Sequence, residues 1–262
     1  NDPGYDFTLQ ALGGLMSVTG QPDGEPTKVG VAVVDVITGL FASTAILAAL
    51  RSRDSSGAGQ QVDLSLLESE LAALVNVASG YLASGVRPRR HGNAHASIVP
   101  YQAFLARDRP FALAAANDRQ FQLLCETVGG GDLAADSRFA TNPARVANRA
   151  ALEVELTHIF SRRDAAEWVA ELRAAGIPCA SINNVDEAFV HEQVRALDVV
   201  GEITHPTVGE LKLVRSPMHL SATPATIRHA PPTLGQHTDE VLTEVLELTD
   251  EAMSALRRDG VI

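Results

Sequence analysis

The stretch Lys28-Val29-Gly30-Val31-Ala32-Val33-Val34-Asp35-Val36-Ile37-Thr38-Gly39-Leu40 decides how this chain reads. One carboxylate, Asp35, stands between four β-branched apolar residues, Val33, Val34, Val36 and Ile37. Val29 to Val34 is a continuous apolar run, short enough for a buried strand or an extended lead-in. Beyond Asp35, the residues Leu40, Phe41, Thr44, Leu47 and Leu50 recur at helical spacing, which predicts a helix with Asp35 at or next to its N-cap. Capping alone accounts for an Asp here. A chemical role is compatible with it: a helix N-terminus stabilises the ionised carboxylate, and apolar neighbours limit its solvation. A desolvated, ionised carboxylate is a competent nucleophile toward an activated acyl carbon. Gly39 lets a ligand or another backbone come close.

Working outward, Asp6 to Val18 reads as a helix, and Thr19 to Lys28, rich in Gly, Pro and Asp, as a loop. Arg53 to Gln61 reads as a loop, and Asp63 as the cap of a longer helix to about Leu82. Residues 83–97 read as a linker by composition. Two short strands are expected between Phe104 and Ala116, around the Arg107-Asp108-Arg109-Pro110 turn. Helices are then expected from Asp118 to Gly129, over Arg149–Phe160, and from Asp164 to Gly176, where Asp164 and Glu167 form a capping box. A helix over Val185–Leu197, strands at Val200–Thr204 and Glu210–Val214, a Pro-rich coil and two final helices complete a helix-dominated α/β pattern.

Composition narrows the function classes. The chain of 262 residues carries 32 Asp and Glu against 21 Lys and Arg, a formal net charge of -11. That charge repels nucleic-acid phosphates and anionic membrane surfaces, so neither is an expected partner. Two isolated cysteines, Cys125 and Cys179, make no disulfide framework, and a cytoplasmic location is expected. No apolar run reaches the roughly 18–20 residues of a membrane span. The longest candidate, Leu40 to Leu50, is closed by Arg51 and Arg53.

Several stretches taken in order are similar to the class III CoA-transferase (CaiB/BaiF) family. They include Gly4-Tyr5-Asp6-Phe7, the run Gln10 to Gly20, the Asp35 stretch, Ser56 to Glu68, Arg90-His91-Gly92-Asn93 and Pro100 to Phe104. Asn117 to Phe121, Arg138 to Asn142 and Ala230 to Thr238 continue the resemblance to the end of the chain. It implies a helix-rich α/β fold: part of a large nucleotide-fold-like domain (residues 1–82 and 199–262) and a smaller α/β domain (residues 98–198). It also implies a further N-terminal portion, absent from this chain, which opens Asn1-Asp2-Pro3 without an initiator Met.

The implied activity is acyl-CoA:carboxylate CoA transfer. The aspartate matching Asp35 forms a mixed anhydride with the acyl group, then an aspartyl-CoA thioester. The partners are an acyl-CoA donor and a carboxylate acceptor, with short dicarboxylic acids the preferred class. Coenzyme A enters as a thioester substrate, with no cofactor bound permanently, and the full-length protein is expected to form an interlocked homodimer. Tyr5, Asp6 and Gln10 match positions near the nucleophile; Gly39, Arg90, Asn93 and His95 are further substrate or CoA contacts. Two alternatives remain: α-methylacyl-CoA racemase-type proton transfer, and an inactive truncated chain with a structural role. Racemases carry a His where this chain has Tyr5, a poor base near neutral pH. The glycine-rich active-site loop of some transferases is replaced here by Ala94-His95-Ala96-Ser97-Ile98-Val99-Pro100.

Three weaker patterns resolve simply. His91 and His95 are four apart but lie in a Gly-containing loop without a nearby carboxylate, so no metal site is expected. Gly129-Gly130-Gly131 reads as a helix C-cap and turn. Arg87, Arg89 and Arg90 could pair with CoA phosphates or a substrate carboxylate, or stand as a solvated linker.

Overall fold

The computed structural model describes residues 3–262; the Asn1-Asp2 opening lies outside the described residues. The chain divides into two compact units, residues 1–182 and residues 183–262.

The first unit opens with α1 (Asp6–Leu12) and α2 (Leu15–Val18). The single helix expected to Val18 is broken because Gly14 takes φ 96°, a left-handed turn that favours glycine. A loop leads to α3 (Val33–Ser56), whose N-cap is Ala32 and whose end is closed by left-handed Gly57. Val29 to Ala32 is thus an extended lead-in and not a strand. Asp35 is the third residue of the helix rather than its cap. The helix also runs past Leu50, so the expected loop from Arg53 starts only after Ser56.

That length overturns the expectation about apolar runs. By length and composition, α3 is long and apolar enough to cross a membrane, yet only 6% of its most apolar window is buried. The sequence reading stopped at Arg51, whereas the helix takes in Val33, Val34 and the small residues between the leucines.

Next come α4 (Leu66–Ala73) and α5 (Val75–Ser84). The cap of α4 is Ser65, which accepts a hydrogen bond from the Glu68 amide, in place of the expected Asp63. The helix is broken before Leu82 because Val75 stands at φ 42°. Coil follows to β1 (Tyr101–Leu105) and β2 (Pro110–Ala114). Then come α6 (Asp118–Thr127), α7 (Gly131–Ala135), α8 (Asn142–Ala147), α9 (Arg149–Phe160), α10 (Ala165–Ala174) and β3 (Cys179–Ser181). The helix α6 is capped by the Asn117 side chain. The Asp164/Glu167 capping box forms as the spacing predicts.

Strand β2 lies at the centre of an antiparallel sheet in the order β1-β2-β3. Its core face carries Phe111 and Leu113, both buried, against α6, α9 and α10. The Phe160 ring packs on Phe104, Phe111 and Trp168 with centroids 5.0–5.4 Å apart. Arg145 is fully buried under this layer. It donates to the carbonyls of Val99 (2.6 Å) and Phe139 (2.9 Å) and to Asp118 (2.8 Å).

The second unit holds α11 (Val185–Val190), α12 (Glu192–Ala196), the hairpin β4 (Val200–His205) and β5 (Gly209–Val214), α13 (Thr238–Glu244) and α14 (Asp250–Arg258). The one helix expected over Val185–Leu197 is divided at His191. Its backbone is extended, and its Nδ1 caps α12 by accepting from the Gln193 amide at 3.2 Å.

Candidate active site

The first turn of α3 is held from outside its own segment. Ala32 offers no side-chain cap, and Asp6 of α1 supplies the missing acceptor: its Oδ1 takes the Val34 N–H at 2.9 Å. Oδ2 of the same carboxylate accepts from Gln10 Nε2 at 2.7 Å, and Gln10 Oε1 accepts from the Val29 amide at 2.8 Å. Gln10 is fully buried. One turn of α1 therefore fixes both the lead-in and the start of α3, which satisfies amides that a helix N-terminus leaves open.

Asp35 projects from this turn and is exposed. Among the described residues its carboxylate makes no hydrogen bond or ion pair. The apolar sleeve expected from the sequence does not enclose it. Successive helical residues are about 100° apart around the axis, so sequence neighbours cannot surround one side chain. Val34 turns inward and is buried, while Val36 is 59% exposed. Gly39, one turn on, shares the face of Asp35, and a Cβ built there would meet nothing within 4 Å. The face beside the carboxylate is bare and open.

Tyr5 stands at the N-cap of α1 and is 81% exposed, with its N–H donating to Thr8 Oγ1. Asp6 and Gln10 act on backbone amides, which makes them positioning groups here and not open contacts. Arg90 donates to the carbonyls of Gln21 (3.1 Å) and Gly24 (2.7 Å) and so clamps the loop after α2. Asn93 lies with Tyr101 on a groove across the outer face of the sheet, over Ala103, Ala112 and Ala180. His95 accepts the Ser97 amide on Nδ1 at 3.1 Å, and its ring leans on Tyr101. Two groups emerge: Asp35 and Gly39 backed by Asp6 and Gln10, and the Arg90-to-His95 segment with Tyr101. No hydrogen bond or ion pair joins them among the described residues.

The loop from Ala94 to Pro100 is strapped down. Asn142 donates to Ser97 O at 2.8 Å and accepts from the Val99 amide at 3.1 Å. Arg149 donates to His95 O at 2.7 Å and Ala96 O at 3.2 Å.

Glu70 was not singled out in the sequence. It is buried behind the Gly13-Gly14 turn, where Oε1 accepts from the Leu15 amide at 3.2 Å and Oε2 finds no partner. Burial raises its pKa, opposed by the Leu15 hydrogen bond and reinforced by nearby Asp6. Its signal was present: Glu70 falls between Leu67 and Leu74 on the apolar stripe of its helix. Among the described residues, no group of three His, Cys, Asp or Glu side chains converges as metal ligands.

Comparison with known proteins bears on this arrangement. The model of CoA-transferase family III matches residues 1–238. An acyl-CoA transferase of Fusarium pseudograminearum is 40% identical over 99% of this chain and 57% of its own length. The succinyl-CoA:glutarate CoA-transferase of Mus musculus is 39% identical over 99% of this chain and 59% of its own length. The crystal structure of a CaiB/BaiF family protein from Brucella suis superposes with a TM-score of 0.78 at 40% identity, covering 94% of this chain and 65% of that one. The chain thus spans under two thirds of the length of these relatives. The match along nearly all of its own residues, in sequence and in fold, makes it a member of CoA-transferase family III.

Proposed function

We propose that the protein transfers coenzyme A between short carboxylic acids, with Asp35 as the nucleophile. The observation that carries this is an accessible carboxylate on a first helical turn that a second helix holds in place through Asp6 and Gln10. In the reaction, an Asp35 oxygen attacks the thioester carbon of the acyl-CoA, and the C–S bond breaks to release CoA thiolate. The thiolate attacks the aspartyl carbonyl of the mixed anhydride, releasing the donor acid and leaving an aspartyl-CoA thioester. The acceptor carboxylate attacks that carbonyl and displaces CoA, which then attacks the acceptor's acyl carbon and frees Asp35. No net proton or electron is consumed. The bare face over Gly39 leaves room for an acyl group.

The relatives support the substrate class. The protein from Mus musculus is named for succinyl-CoA and glutarate, and one from Haloarcula marismortui for succinyl-CoA and mesaconate. We infer a short dicarboxylic acid as acceptor. Because Asp35 is exposed, water must be kept from the anhydride by a covering body. The apolar flank of α3, with Leu40, Ile46 and Leu47 at least half exposed, supports a second copy of the protein as that cover. Two free thiols, with Cys125 buried and its pKa pushed up to about 11 by that burial, support a reducing compartment such as the cytoplasm.

The test is covalent. The intact protein is incubated with succinyl-CoA, trapped with hydroxylamine and mapped by mass spectrometry. A hydroxamate on Asp35, absent in Asp35→Asn, is the expected result. Solvent deuterium entering the α-carbon of a 2-methylacyl-CoA without any label would replace the reading with proton transfer.

A further inference from the structure

Glu70 of α4 is 1% exposed, yet only one of its oxygens is used. Oε1 accepts from the Leu15 amide at 3.2 Å, and Oε2 has no partner among the described residues. An apolar side chain would fill the same place without leaving a buried oxygen unpaired, so packing does not account for an acid here.

The carboxyl lies against the corner where α1 ends. Gly13, the C-cap of α1, has φ -80° and ψ -6°, an ordinary helical conformation that alanine adopts freely. Glycine is needed there for space: a Cβ would stand 2.7 Å from Oε1 and closer still to Oε2. The three nearest atoms it would meet all belong to the Glu70 carboxyl. The chain then turns at Gly14 and enters α2 at Leu15, whose amide rests on Oε1. Glu70 thus closes the corner from behind, by contact at Gly13 and by a hydrogen bond at Leu15.

That corner ends the helix that holds the turn of Asp35. Asp6 of α1 accepts the Val34 amide at 2.9 Å, and Gln10, one turn on, accepts the Val29 amide at 2.8 Å. A helix of seven residues is not stable alone, so its placement depends on what anchors it. The Val34 and Val29 bonds tie α1 to α3 and its lead-in, and Glu70 ties it to α4, which packs on both α1 and α3. Burial favours the neutral Glu70 carboxyl, the Leu15 bond opposes it, and the Asp6 charge adds to burial. Asp6 is therefore felt at Glu70, and the two acids lie behind the same turn.

We propose that Glu70 is a positioning residue for Asp35: it fixes the end of α1, and α1 fixes the first turn of α3. The assignment rests on the transferase reading and deepens it by extending the support of the nucleophile to a third helix.

The experiment takes two readouts on the intact protein. One is exchange of the Val34 amide, followed by NMR, which reports local opening of the turn. The other is the rate of Asp35 labelling as succinyl-CoA is raised to saturation. The variants are Glu70→Ala, Glu70→Gln, Gly13→Ala, Gly13→Ala/Glu70→Ala and a control, Ile159→Val, which weakens the buried core away from the turn. Loss of the Leu15 bond should speed Val34 exchange and slow labelling at saturation, each by about tenfold in Glu70→Ala. The half-saturating concentration should not move. Glu70→Gln keeps an acceptor for Leu15 and should bring both readouts to within about twofold of wild type. Gly13→Ala displaces the carboxyl and should match Glu70→Ala. The double variant should be no worse than either single one, because both act through one contact. Ile159→Val should leave both readouts as in wild type.

Wild-type Val34 exchange in Glu70→Ala, losses that add in the double variant, or an equal effect of Ile159→Val would each overturn the positioning role. Val34 exchange does not depend on the chemistry, so the two readings stay apart. Absence of any label in wild type defeats the transferase, whereas labelling of Glu70→Ala at the wild-type rate defeats the positioning role alone.

Discussion

Replacing Asp6 by Ala should loosen the turn that carries Asp35 without touching Asp35 itself. Two hydrogen bonds are lost: Val34 N–H to Oδ1 at 2.9 Å and Gln10 Nε2 to Oδ2 at 2.7 Å. The first is both a helix cap and a bond to a charged acceptor, so its loss should cost about 2 kcal/mol. The second leaves a fully buried amide donor without its partner, adding about 1 kcal/mol or more. Taking only the first for local opening, about 2 kcal/mol corresponds to a rise of roughly 30-fold in exchange of the Val34 amide. Amide hydrogen exchange followed by NMR measures it directly. Asp6→Asn keeps an acceptor but loses the charge, and should fall between wild type and Ala. In the same series, the rate of hydroxamate formation at Asp35 should fall in the same order. A Val34 amide that exchanges at the wild-type rate in Asp6→Ala would show that α3 is capped by something else, and the positioning argument would collapse.

Three further outcomes are expected. Gly39→Ala meets open space and removes a helical glycine, so it should raise stability by about 0.5–1 kcal/mol in urea unfolding. If the face beside Asp35 receives the acyl group, the same variant should slow labelling of Asp35. Arg145→Met leaves the Val99 and Phe139 carbonyls buried without their donor and should destabilise the first unit by about 3 kcal/mol, read as a lower urea midpoint. For Glu70, the folded pKa lies above its ordinary value of 4.5. The folded state therefore holds the proton more tightly, and the contribution to stability is full below 4.5 and is lost as pH rises through the folded value. Glu70→Gln should shrink the fall in melting temperature between pH 5 and pH 8; an unchanged fall would mean another group drives it.

Local signals carried much of the fold. Arg149–Phe160 was legible from apolar spacing, and Ala165–Ala174 from the Asp164/Glu167 box and Gly176, since both ends are written in adjacent residues. The failures share a cause, which is that the deciding group was distant. The start of α3 depends on Asp6, 28 positions before Val34. Strand β3 has three residues and exists only because Phe111 to Leu113 lie beside it. The break at Val75 has no local signature, because valine resists a positive φ. At the site, Asp35 was legible as a carboxylate at a helix start. Its exposure was not, because four apolar neighbours in sequence become neighbours on different faces once wound. Glu70 was readable as an acid on an apolar stripe, whereas the strapping residues Asn142 and Arg149 were missed because their partners lie tens of residues away.

The strapped loop from His95 to Val99 changes how binding should register as heat. A segment that orders only when its ligand arrives spends part of the interaction free energy on losing its own freedom, and calorimetry shows this as an unfavourable entropy. Here Asn142 and Arg149 complete that ordering during folding. Small acids that settle against this loop should therefore bind with a modest entropy term. Cutting the Arg149 strap should make their binding weaker and more entropically opposed.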